Sequence, residues 1–197
     1  MRVWWAVLLV IWAGAGWAED VTLRKDGNTA HVTTPGNLAP TQDPGCIGMD
    51  EVAAGLAPPD LLLGVIHCLK KARAADAADL YVLMVARARF DALRVTDTSA
   101  HQAGSVLVLQ LRNSVLRQDL QALQDRLTAL GKPGMASWAA FCGRLRATGV
   151  PEHDPGYMIA HGMGALPGQG ADPVVSGFDA AAAWRTMLSA DLDCPAL

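Results

Sequence analysis

The sequence predicts an all-α fold: a compact bundle of about six helices, arranged as antiparallel helical hairpins and closed by two disulfides. Three observations predict it. Apolar residues recur at helical spacing from residue 58 onward. Short runs rich in Gly, Pro, Thr or Asp separate the periodic stretches, and helices joined by short turns lie antiparallel. Four cysteines, an even number, stand in a chain that begins like an exported one. At 197 residues one domain with a sizeable core is expected, and an apolar fraction of 51% excludes disorder for the bulk.

Residues 1–18 read as a signal peptide. Arg2 is a minimal positive region, residues 3–15 are uncharged and mostly apolar, and Gly16 and Ala18 fit cleavage after Ala18. The apolar run is shorter than the ~18 residues of a membrane span. A periplasmic or secreted protein with no stable membrane anchor after cleavage is therefore expected, and an uncleaved anchor is the alternative. The formal charge is −3, and losing Arg2 leaves 15 basic against 19 acidic residues, or −4. With no basic stripe, this excludes a nucleic-acid footprint.

Residues 19–57 read as a polar lead-in and linker. Asp26-Gly27 lies between two alternating segments, which is the signal of a short N-terminal β-hairpin. An unstructured leader is the other reading of the same composition. Residues 35–45 are turn-rich, and residues 49–56 could add a short helix.

The helical domain spans residues 58–197. Pro58 and Pro59 suit a first helical turn, and Asp60 complements the positive end of the helix. Leu62, Val65, Ile66 and Leu69 form its apolar stripe, and Lys70, Lys71 and Arg73 end it. A second helix over 74–94 carries Ala77, Leu80, Tyr81, Met84 and Ala88 on one stripe. The alanines and the Leu63-Gly64 step of this pair resemble a single tetratricopeptide-type hairpin. No second copy occurs, so no repeat array is expected.

Ser99 and Gln102 have the spacing of a capping box for a third helix. That helix holds the largely apolar run 105–111 and reads as the central, buried one, with Gly104 letting a neighbour approach closely; a strand over 106–111 alone is the alternative. A helix over 118–130 follows, with Leu120, Leu123, Leu127 and Leu130, and Gly131 and Pro133 stop it. The next, over 135–148, turns Trp138, Phe141, Cys142 and Leu145 inward. A short helix over 155–163 and a last one over 179–188, anchored by Phe178, Trp184 and Leu188, complete the chain.

The order of the cysteines suggests the pairs Cys46–Cys68 and Cys142–Cys194, among three pairings. Loop-closure entropy assigns them roughly 3 and roughly 4 kcal/mol. A zinc site is disfavoured, because no C-x-x-C spacing is present.

Two constellations could carry chemistry. At the hinge between the second and third helices, Asp91, Asp97 and His101 could do acid–base work, with Arg87 and Arg94 holding an anion. A salt-bridge network locking the helix crossing is the bland alternative, and it is favoured. In the segment 152–172, His153, Asp154 and His161 are the best metal-ligand candidates, although a solvated loop is favoured over a metal site. No nucleophile elbow, zincin motif, phosphate loop or dinucleotide fingerprint occurs, so no cofactor is expected.

The functional expectation is an exported helical protein-interaction or inhibitor/immunity-like protein with a periplasmic protein partner. A periplasmic hydrolase or metal-binding protein using the His/Asp residues is the alternative. A ligand-binding bundle, the third reading, would show an apolar cavity.

Overall fold

The structure, a computed structural model, describes residues 22–26, 29–166 and 172–195. The expected signal peptide lies outside the described residues, as do Gly27 and Asn28 of the hairpin turn. Strands β1 (Thr22–Asp26) and β2 (Thr29–Thr33) pair antiparallel, with Thr22 opposite Thr33 and Asp26 opposite Thr29.

Seven α-helices follow among the described residues: α1 (Pro58–Lys70), α2 (Ala74–Arg94), α3 (Ala103–Ser114), α4 (Arg117–Leu130), α5 (Ala136–Ala147), α6 (Gly156–Ile159) and α7 (Ala180–Ala190). The all-α bundle expected from periodicity is the observed fold, and both expected disulfides, Cys46–Cys68 and Cys142–Cys194, are formed. No described helix is long and apolar enough to cross a membrane.

α1 and α2 form the organising hairpin. Asp60, wholly buried, accepts the Ala57 N–H at 2.9 Å and so caps its own helix. The same carboxylate accepts the Thr41 and Gln42 N–H groups at 2.7 and 2.9 Å. These charge-assisted bonds hold the preceding segment against the helix. The structure thus departs from the loose lead-in expected there: Leu38, Met49, Leu56 and Ala57 belong to the core. Gly64 is needed in α1 because a Cβ there would meet Leu80 of α2 at 3.1 Å and the Gly45 carbonyl at 3.4 Å.

α2, rather than α3, is the central helix. It packs against α1, α3, α4 and α7, and it buries Leu80, Leu83, Met84 and Phe90 completely or nearly so. Its alanines at 77, 78, 86 and 88 are buried as well, which lets neighbours close in on several sides. α3 buries only Ala103, Leu107 and Leu111, and Leu109 is 54% exposed. Consecutive helical residues point about 100° apart, so an unbroken apolar run cannot all face one neighbour. The expected close approach at Gly104 is present: a Cβ there would meet the Ala88 Cβ at 3.1 Å.

The expected Ser99–Gln102 box does not cap α3. Asp97 instead accepts the Ser99 N–H at 2.9 Å and caps a 3-10 turn, Thr98–Gln102, that leads into the helix. A carboxylate is the stronger acceptor, and it lies closer to the turn. Past α6, residues 172–175 lie across the end of α2. The Val175 N–H donates to the Arg94 carbonyl at 2.8 Å, and the Thr96 N–H donates to the Pro173 carbonyl at 3.0 Å. α7 then docks Trp184 edge-on against Phe90, with ring centroids 5.7 Å apart.

Candidate functional site

The apolar stripe of α2 contains two charges. Leu80, Met84, Arg87 and Asp91 follow one another at helical spacing, and all four are buried. Charges on a buried face require partners from elsewhere in the chain.

Asp91 finds three. Arg94, one turn along α2, donates from Nε at 2.9 Å and approaches from Nη2 at 2.7 Å. His153, in the loop after α5, donates from Nε2 at 2.8 Å to Oδ2 and lies 3.1 Å from Oδ1. Tyr157, at the start of α6, donates its hydroxyl to Oδ2 at 2.8 Å. Arg94 also donates to the His153 carbonyl at 2.7 Å and lies over the Phe90 ring. Burial, then the adjacent Asp91 charge, pushes the Tyr157 hydroxyl well above its ordinary pKa, so it remains a donor.

Arg87 is wholly buried and donates to the backbone carbonyls of Ala53 and Leu56. Burial pushes its guanidinium down to about 10, against the pull of Asp91 in the other direction. At neutral pH it therefore stays charged. Its Nε and Nη2 find no partner among the described residues.

A carboxylate on an imidazole with a third group attached is also the form of an acid–base pair. Acid–base work needs a nitrogen open to a reacting atom. Here His153 is 4% exposed, its Nδ1 is enclosed, and none of Asp91, Arg94, His153 or Tyr157 lines a described cavity. The cluster joins the loop before α6 to the central helix.

The structure separates the other expected site residues. Asp97 accepts from the Ser99 hydroxyl at 2.6 Å and from the Gly164 N–H at 2.7 Å, and these bonds, the hydroxyl first, hold its carboxyl below the usual range. His101 bonds the Val95 carbonyl through Nε2 at 2.9 Å and lines a groove between α2 and α3. The two are thus apart from Asp91 in role, although all three flank one hinge.

The expected metal candidates also diverge. His153 serves Asp91, Asp154 accepts the Gly156 N–H at 2.6 Å, and His161 Nδ1 donates to Asn37 Oδ1 at 2.9 Å. Among the described residues no group of three His, Cys, Asp or Glu side chains is placed to hold a metal ion. Residues 167–171 of that segment lie outside the described residues.

Sequence reasoning set Asp91 and His153 in different constellations and gave Tyr157 no role. The signal that joins them is the placement of Asp91 on the apolar stripe of α2. Comparison with protein families, with curated proteins and with solved structures finds no match for this chain.

Proposed function

We propose that this is an exported, periplasmic or secreted helical protein that works by binding a protein partner, in the manner of an inhibitor or immunity protein. The observation that carries the reading is the closed state of the Asp91 cluster. Each of its carboxylate contacts is internal, so its charges serve the scaffold. Two disulfides suit an oxidising compartment, and residues 1–18 have the composition of a cleavable export signal.

A surface for such a partner is at hand beside α3. Val85, Ala88 and Ala92 of α2 face Val108 of α3 across a groove whose lining is part apolar and part polar, the polar part supplied by Arg89, His101 and Ser105. Leu93 and Leu109, 50% and 54% exposed, stand one turn beyond Arg89 and Ser105 on the same helices. Apolar side chains left out beside a groove are common at recognition sites.

The test is capture from the periplasmic fraction of the source cells, with the full chain, its L109D variant and a control Q124D variant on α4. One protein retained in stoichiometric amount by the wild type and the control, and lost with L109D, supports the reading. Retention of nothing, or of the same proteins by all three, overturns it.

A further inference from the structure

A second concavity lies on another part of the molecule, between the C-terminal end of α5 and α7. It is a cleft of about 570 Å³. That is within the range of small-ligand sites, roughly 300–1,000 Å³. Its wall is apolar: Val150 from the turn after α5, Trp184 and Leu188 from α7, and Cys194 of the disulfide. The Cys142–Cys194 bridge fixes the distance between its two sides, so the cleft is preformed rather than opened by a ligand.

Arg146 and Arg185 also line it, one from each side. Arg146 lies in the last turn of α5 and donates to the Pro195 carbonyl. Arg185 lies in the middle of α7, where the helix dipole gives it no partner. Among the described residues neither guanidinium is in a salt bridge, while Arg73, Arg94 and Arg144 each have one. Among the described residues, two arginines with no carboxylate partner therefore flank one apolar cleft in a chain whose formal charge is −3. Arginine pairs with a carboxylate through two parallel hydrogen bonds, which a neutral headgroup cannot match.

We propose that this cleft binds a small amphipathic carboxylic acid, with its apolar tail against Trp184 and Leu188 and its carboxylate between Arg146 and Arg185. The site is independent of the Asp91 cluster and lies apart from the α2/α3 groove. Its occupant is a small molecule, so the protein-partner reading and this one stand or fall separately.

The test is calorimetric titration of the full chain with decanoate and, in parallel, with decanol. R185Q is the principal variant, because Arg185 is exposed and among the described residues its side chain holds no other part of the fold. S189W is the second, placing an indole at the exposed Ser189 on the rim. Circular dichroism checks that both variants fold. The expected result is saturable one-to-one binding of decanoate, at least about tenfold tighter than decanol, weakened at least about tenfold by R185Q and abolished by S189W. No binding of decanoate, equal binding of decanoate and decanol, or unchanged binding in folded R185Q overturns the proposal.

Discussion

The Asp91 carboxylate and the His153 imidazole are 62 positions apart in sequence and 2.8 Å apart in the interior, where neither side chain reaches solvent appreciably. They fasten the loop before α6 to the central helix. Removing Asp91 leaves the half-enclosed Arg94 guanidinium without its counter-ion and the Tyr157 hydroxyl without its acceptor. D91A is therefore expected to cost about 3–5 kcal/mol. Y157F, which removes one hydrogen bond, should cost about 1 kcal/mol. Urea unfolding followed by circular dichroism measures both. Equal losses in the two variants would show that Asp91 does not organise the cluster.

The two disulfides close loops of unequal length, with sequence separations of 22 and 52. The longer loop removes more entropy from the unfolded chain. Replacing both cysteines by alanine should cost about 3 kcal/mol at Cys46–Cys68 and about 4 kcal/mol at Cys142–Cys194. Paired thermal melts give the order. A larger loss at Cys46–Cys68 would mean that native packing, not chain entropy, decides the difference.

Asp79 and Arg144 join α2 to α5 through two nitrogens, Nε at 3.0 Å and Nη2 at 2.7 Å. Even so, burial raises the Asp79 carboxyl above its ordinary pKa, outweighing the lowering by Arg144. The desolvation of the carboxylate thus offsets the attraction of the pair. D79N is expected to change stability by less than about 1 kcal/mol. A loss above about 2 kcal/mol in denaturant unfolding would show the ion pair to be a net source of stability.

His161 introduces a pH dependence. Burial lowers its pKa from the ordinary 6.5. Between the folded and unfolded values the unfolded chain binds the extra proton more readily, so folding weakens as pH falls. The effect is absent well above 6.5, develops as pH drops through 6.5, and is complete below the folded value. H161N should show a shallower loss of melting temperature between about pH 7 and pH 5 than the wild type. Parallel slopes in the two proteins would exclude His161 as a source of the dependence.

The sequence by itself determined the helical fold and the order of the helices, and it suggested the disulfide pairs, which the folded chain then settled. α2 is observed over the 74–94 range that periodicity predicts, and Gly104 meets Ala88 as its small size suggests. These features are local: helical period, a stop signal or a small residue acts through neighbours a few positions away. Tertiary structure decided which helix lies at the centre, what Asp60 holds and what Asp91 binds. α3 holds an unbroken apolar run, yet α2 is central, because its buried alanines let neighbours pack on several sides. Asp60 was legible as a helix-start residue, but its bonds to the Thr41 and Gln42 N–H groups depend on the chain folding back. Asp91, His153 and Tyr157 come from segments that no local pattern relates. Their meeting is fixed by where the loop before α6 returns to α2, and distance in space carries no trace in the spacing of residues along the chain.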